Sequence, residues 1–234
     1  MLAELKVLYL YNAGILLSYG NDSILIDGVF DDRNIFDKMP LGYRETLLRK
    51  EMPFENVKGL LFTHCHDDHY DAETVKKFTD KYADAEIVAP RLGMDKKLAE
   101  ECGKFSVGVF DIEYLKTRHI FVGELTCDNY VYKVSIGNKT VIVTGDTDPE
   151  SIEKITNVFR KDTDAFFINA ATFLYEMKHP ETTSLGQVKN LYVYHLPSEG
   201  NDDYGYRKAT VSIMEKAKRV INNIEFLLEN VRYI

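Results

Sequence analysis

Cysteine is scarce in this chain: Cys65, Cys102 and Cys127 are the only three, an odd number at irregular spacing. No disulfide framework fits that count, which suits a reducing compartment. An apolar run of membrane-span length is also missing, and the opening MLAELKVLYLYNAG has neither the basic start nor the cleavage site of a secretory signal. A cytoplasmic protein with no membrane partner is expected. Basic residues are outnumbered, with 29 Lys and Arg against 37 Asp and Glu, a net charge of −8. Broad binding to nucleic acid needs a basic surface that displaces counterions, so it is not expected here. A metal site that draws an anionic substrate remains compatible with that charge. Low-complexity stretches, Ser/Gly linkers and internal repeats are absent as well. What is present, 45% apolar and 28% charged residues over 234 positions, is ordinary globular composition with enough chain for a substantial core.

Patterning along the chain predicts alternating αβ segments. KVLYLYN, GILLSYG and SILIDG are short β-rich runs separated by turns. VKGLLFTH is continuously apolar, as expected of a strand covered on both faces. DAETVKKFTDKY reads as a helix capped by Asp71, with Ala72, Val75, Phe78 and Thr79 on one face. EIVAP is a short strand, RLGMDKKLAEEC a helix stopped by Gly103, and FSVGVF, YLKTRHIFVGE and NYVYKVSIG are strands. GNK turns the last of these into TVIVTGDTD. PESIEKITNVFRK starts a helix on proline, DAFFINA is a buried strand, and a helix near TSLGQVKN leads into LYVYH. A long helix from about Arg207 to Asn222 follows. Two αβ halves packed sheet to sheet, in one domain over residues 1–234, fit this order.

The stretch FTHCHDDHYD, residues 62–71, holds half of the six histidines. His64 and His66, two apart on a chain leaving a strand, project to one side, and Cys65 points the other way. Asp68 and His69 follow as the chain turns into its helix. Imidazole and carboxylate suit Zn²⁺, Fe²⁺ or Mn²⁺, and a loop of this kind needs partners from distant strand ends. A His or Asp terminating an apolar β run is the signature to seek. Asp27 ends SILID, His119 lies in KTRHIFV, Asp146 follows VIVTG and His195 ends LYVYH.

Taken with HCHDDH, these positions resemble the metallo-β-lactamase superfamily, whose metal motif is His-x-His-x-Asp-His. RHI at His119, GDT at Asp146, YHL at His195 and ILIDG at Asp27 match its further elements in order. The resemblance covers most of the chain and implies an α/β fold, the four-layer αβ/βα sandwich. It implies that His64, His66 and His119 hold one divalent metal, that Asp68, His69 and His195 hold a second, and that Asp146 bridges them. Asp27 would stand behind the ligands and fix a histidine tautomer. The best-known β-lactamase class has cysteine where this chain has Asp146, so the bridge is more similar to dinuclear hydrolases such as glyoxalase II, lactonases and phosphodiesterases. Two such ions, zinc first with iron or manganese as alternatives, would share a hydroxide with a near-neutral pKa. Asp68 could orient that nucleophile or take its proton. Oxygen chemistry at iron is the other use of the fold, but the flavodiiron pattern has glutamate in place of His66.

Two branches share features with the chain. HCHDDHYD and the opening YNAGILLSYGNDSILIDGVF are similar to the branch of ascorbate-6-phosphate lactonase and N-acyl phosphatidylethanolamine phospholipase D, though Asn12 stands where members often have histidine. TGDTDP, DAFFINAATF and KHPETTSLGQV are similar to tRNase Z and small phosphodiesterases, which would make His179 a proton donor. That family's glutamate partner falls on Ala170. The polar loop PSEGNDDYGYR offers Tyr204, Tyr206 and Arg207 to a substrate. The expected activity is hydrolysis of a small, anionic ester, lactone or phosphodiester. An RNA-processing nuclease and a non-catalytic metal-binding module are the alternatives, and a homo-oligomer stays open.

Overall fold

The computed structural model describes residues 4–33, 35–90, 98, 100–120, 127–159, 163–228 and 231–233. Its first elements are β1 (Leu5–Leu10), β2 (Gly14–Tyr19), β3 (Asp22–Ile26), α1 (Leu41–Leu48), β4 (Val57–Leu61), α2 (Ala72–Lys81) and β5 (Glu86–Val88). An antiparallel run follows: β6 (Cys102–Val107), β7 (Phe110–Arg118), β8 (Asp128–Ile136) and β9 (Lys139–Val143). Then come α3 (Ile152–Phe159), β10 (Ala165–Asn169), α4 (Ala170–Glu176), β11 (Leu191–Tyr194), α5 (Tyr206–Val220), β12 (Ile224–Phe226) and β13 (Val231–Tyr233). The strands form two sheets, in the orders β13-β1-β2-β3-β4-β5 and β12-β11-β10-β9-β8-β7-β6.

Period-two alternation sorts the apolar side chains into layers. In β1, Val7 and Tyr9 enter a core shared by both sheets, while Leu8 and Leu10 join Leu47 of α1 and Phe78 of α2 in a second cluster. In β10, Ala165 and Phe167 enter the shared core, and Phe166 and Ile168 pack with Ile155 of α3, Phe173 of α4 and Ala217 of α5. The central strands of each sheet are therefore covered on both faces, which is why they read as apolar runs, whereas β6 and β7 leave alternate residues at least partly exposed. Burying one such side chain, Phe167 for example, contributes roughly 1.5–3 kcal/mol. The result is helices, sheet, sheet, helices: the four-layer αβ/βα sandwich expected from the sequence.

Several boundaries differ from the sequence reading. FSVGVF is not one strand, because Gly108 at φ 54° turns β6 back into β7. Asn169 ends β10 and caps α4 with its own side chain, accepting from the Thr172 amide at 2.8 Å, so a helix follows where only a strand was expected. TSLGQVKN holds a single 3₁₀ turn, Ser184–Gln187. Helix α1 and the short strands β12 and β13 were not anticipated, and β13 pairs antiparallel with β1. Of the expected helix RLGMDKKLAEEC, residues 91–97 and 99 lie outside the described residues, and Cys102 opens β6 instead of ending a helix. The end of YLKTRHIFVGE also lies outside them. Among the described residues, no helix is long and apolar enough to cross a membrane.

Candidate metal centre

All of the strand ends singled out above converge on one edge of the sandwich. Beyond β4 the chain passes Phe62 and Thr63 to His64, His66, Asp68 and His69, a turn closed by amide bonds from His69 and Tyr70 to the His66 carbonyl at 2.9 and 2.8 Å. Cys65 packs against the outer core cluster and Asp67 is exposed, so both face away from the centre. Asp71 caps α2, accepting from the Glu73 amide at 3.0 Å. His119 follows β7, Asp146 follows β9, and His195 follows β11. Asp27 and His195 both stand at positive φ, 49° and 58°, a sparsely populated conformation that persists where surrounding structure enforces it.

The side chains form two donor groups. His64, His66 and His119 make one, and Asp68, His69, Asp146 and His195 the other; within each, one ligand atom per residue lies within 4.8 Å of the rest. His64 and His119 oppose Nε2 to Nε2 at 3.2 Å, as do His69 and His195. Asp146 joins the groups. Its oxygens lie 3.5 Å from His119 Nε2, 3.6 Å from His195 Nε2 and 3.7 Å from His69 Nε2.

Surrounding polar groups fix the orientations. Asp27 accepts from the Thr63 amide at 2.8 Å and hydroxyl at 2.6 Å, and its Oδ2 lies 3.0 Å from His69 Nδ1, which leaves His69 Nε2 for the centre. The Ile120 carbonyl lies 2.6 Å from His119 Nδ1 and does the same for that ring. Asn129 accepts from the Asp146 amide at 3.0 Å. Gly145 precedes Asp146 at φ 56°, and a Cβ there would meet Asn129 Oδ1 at 2.4 Å and Thr63 Oγ1 at 2.5 Å. Only glycine fits.

Protonation differs between the groups. Burial holds His64 well below the usual imidazole pKa, and it pushes His66 down to about 4, with His119 and Arg33 adding to the effect. Burial acts the same way on His69 and His195, but carboxylates outweigh it: Asp27 and Asp146 raise His69, and Asp146 and Asp68 raise His195. Burial alone would raise Asp146, yet His195 and His69 keep it well below the carboxylate range. Asp68 is likewise lowered against its burial, by its bond from His195 and by the His69 charge.

The donor set fits divalent cations. Oδ1 of Asp68 and Oδ1 of Asp146 are buried without a hydrogen-bond partner among the described residues, a costly state for an anionic oxygen. Two imidazole nitrogens bound to one tetrahedral ion at about 2.0–2.1 Å stand roughly 3.4 Å apart, close to the 3.2 Å seen twice here.

His179 is a false lead. Its side chain is 75% exposed, 3.7 Å from Glu181, and it is absent from the cavity over the centre. Arg207 spends its guanidinium on the Pro197 and Leu228 carbonyls at 3.3 and 3.0 Å instead of facing a substrate. Tyr204, Tyr206 and Ala170 do line the cavity. Three further neighbours went unread in the sequence. Phe36 stacks on His195 with ring centroids 4.0 Å apart, Arg33 Nη1 lies 3.6 Å from Asp68 Oδ1, and Cys127 Sγ lies 3.6 Å from His66 Nε2. The 31–40 turn carries no periodic pattern, and charge opposite a ligand was the only signal available.

The sequence matches no protein-family model and no curated protein. Solved structures are similar to it over nearly its whole length. A candidate metal-dependent hydrolase from Parabacteroides distasonis is 18% identical, covering 96% of this chain and 93% of that one, with a TM-score of 0.61. A possible metal-dependent hydrolase from Veillonella parvula is 15% identical over 98% of both chains, with a TM-score of 0.64. CmlA, a diiron β-hydroxylase from Streptomyces venezuelae, is 15% identical with a TM-score of 0.64; the match covers 99% of this chain and 54% of CmlA. At these identities the likeness speaks for the fold alone, which this chain shares with these three structures.

Proposed function

We propose that the chain is a metal-dependent hydrolase whose two donor groups hold a pair of divalent cations and which cleaves a small ester, lactone or phosphodiester. The observation that carries this reading is the position of Asp146, one carboxylate within 3.7 Å of ligand nitrogens from both groups. His64, His66 and His119 would hold one cation, Asp68, His69 and His195 the other, with Asp146 between them. Cations held there would supply a hydroxide near neutral pH and polarise the scissile bond. Zinc suits the His and carboxylate donors, and iron or manganese would be accepted by the same set.

The chain's own residues complete the chemistry. Asp68 Oδ1 is an acceptor without a hydrogen-bond partner at the cavity wall, positioned to orient the attacking hydroxyl or take its proton. Asp27 holds the His69 ring against rotation while bond making proceeds. Ile35, Phe36 and Ala170 give the wall an apolar side that excludes water beside the donors. A wall with a single cationic residue among those described suits a small substrate better than a nucleic-acid strand.

Metal analysis of protein purified without chelator tests the centre, with two equivalents expected. Fewer than one, even after reconstitution, would sink the proposal. A substrate panel of bis-4-nitrophenyl phosphate, thioesters and lactones then selects the bond cleaved. Tight, salt-sensitive RNA binding would point to the nuclease instead.

A further inference from the structure

Arg33 is the one lysine or arginine among the described residues lining the cavity over the metal centre. We propose that its guanidinium binds a carboxylate or phosphate of the substrate remote from the bond being cleaved, making the substrate a small amphiphile with an anionic end. This rests on the hydrolase reading and adds to it a substrate class and the residue that selects it.

Arg33 is built into place. Arg33 and Phe36 exchange backbone hydrogen bonds at 3.0 and 2.9 Å, so the two side chains leave one tight turn. Phe36 lies flat on His195, with an interplanar angle of 16°. Upstream, the Asp31 amide donates to the Asp67 carbonyl at 2.7 Å, between His66 and Asp68. One end of this segment is thus fastened to the ligand loop and the other rests on a ligand ring. A cation held this way needs little reordering to bind an anion.

The guanidinium is not consumed by its neighbour. A paired Arg–carboxylate fork has two parallel bonds at about 2.7–2.9 Å, whereas Arg33 makes one contact with Asp68, at 3.6 Å. Asp68 already has His195 Nε2 at 3.5 Å from its other oxygen. No further partner of the Arg33 side chain occurs among the described residues. With a net charge of −8, the chain as a whole repels anions, so a cation at the cavity wall gives an anionic end a local place to bind away from the metals. Size and polarity narrow the ligand further. The space over the centre is about 90 Å³, with Ile35, Phe36 and Tyr204 in its wall, which fits a short acyl or aryl arm.

Two matched esters test the proposal, 4-nitrophenyl hemisuccinate with a free carboxylate and neutral 4-nitrophenyl butyrate. Arg33→Ala should raise KM for the hemisuccinate by roughly 10- to 100-fold, as expected for one charge-assisted bond. Butyrate kinetics should change far less than hemisuccinate kinetics, with metal content retained, and Arg33→Lys should recover part of the loss. If Arg33→Ala sheds metal, or slows both esters alike, Arg33 merely supports Asp68 and the proposal fails. Calorimetric titration of the metal-loaded protein with succinate and with inorganic phosphate reads binding without turnover. Loss of affinity on Arg33→Ala for one of them identifies the anion; no loss for either overturns the proposal even if hydrolysis stands. Arg33-dependent binding with no ester, lactone or phosphodiester cleaved would retain the anion site and reject the hydrolase.

Discussion

The two donor groups use the same residue type in opposite states. His64 and His66 are held neutral by burial, in a group with no carboxylate of its own, and offer bare lone pairs at neutral pH. His69 and His195 are buried too, but there carboxylates outweigh burial: Asp27 and Asp146 raise His69, and Asp146 and Asp68 raise His195. Burial alone therefore does not decide protonation here; its balance against neighbouring carboxylates and imidazoles does. One half of the centre is prepared as empty nitrogen ligands, the other as a compensated cluster in which a cation would replace protons. Asp146 belongs to both halves.

Breaking that shared member should have the largest effect. Asp146→Ala leaves His119, His69 and His195 without their common carboxylate, and activity should fall on the order of 10²- to 10³-fold with at least one metal equivalent lost. Elemental analysis beside steady-state rates checks both. Retention of two equivalents and full activity would show that the groups do not communicate through Asp146.

Proton release sharpens the comparison directly. His69 and His195 have folded-state pKa values raised by their carboxylates, so they keep protons to higher pH than an ordinary imidazole, and a bound cation must displace those protons. The first group's His64 and His66 lie below the usual imidazole range and have none to release. Titrating zinc into apo His66→Ala loads the second group, and into apo His69→Ala the first. Calorimetry in buffers of different ionisation enthalpy should find more protons released in the former, and affinity there should fall more steeply as pH drops.

Asp27→Asn should act mainly on the second group, reaching the first only through Thr63 Oγ1, which lies 3.1 Å from His64 Nδ1. It removes the charge 3.0 Å from His69 Nδ1 while keeping the shape of the side chain. Loss of such a supporting carboxylate typically costs about 10–100-fold in metal affinity. The expected outcome is a weakened second equivalent and a much smaller change in the first, read by competition with a chromophoric chelator.

Legibility in the sequence followed the same divide. Asp27, Asp146 and His195 were visible because each closes an apolar run, whereas His119, which follows Lys116, Thr117 and Arg118, was placed by the resemblance. His64 to His69 are also contiguous, so their convergence needed no tertiary knowledge. Arg33 and Phe36 reach the centre through a turn of mixed composition, where neither period two nor period 3.6 applies. Asn169 hid α4 because a helix cap inside the apolar stretch AFFINAATF looks like more strand. His179 shows the converse error: a local motif similar to a proton donor's, on an exposed turn that the fold keeps out of the cavity. Motif similarity locates residues along the chain, and only packing brings them to one point.

The smallest expected effect concerns how His195 is steadied. His69 and His119 are oriented through Nδ1, by a carboxylate and a carbonyl respectively. His195 Nδ1 has, among the described residues, neither a hydrogen bond nor a carboxylate like the one 3.0 Å from His69 Nδ1, and the backbone at φ 58° is held against its own preference. The Phe36 ring, stacked at 4.0 Å, takes the place of that missing partner. Phe36→Leu keeps the apolar wall but removes the aromatic face, a contribution of about 0.5–1.5 kcal/mol. Metal affinity at the second group should therefore fall roughly 2- to 12-fold, less than for Asp27→Asn, with the first group untouched. A loss matching that of Asp27→Asn would mean that stacking orients a ligand ring as firmly as a buried carboxylate does, and the contrast between the two second-group histidines would disappear.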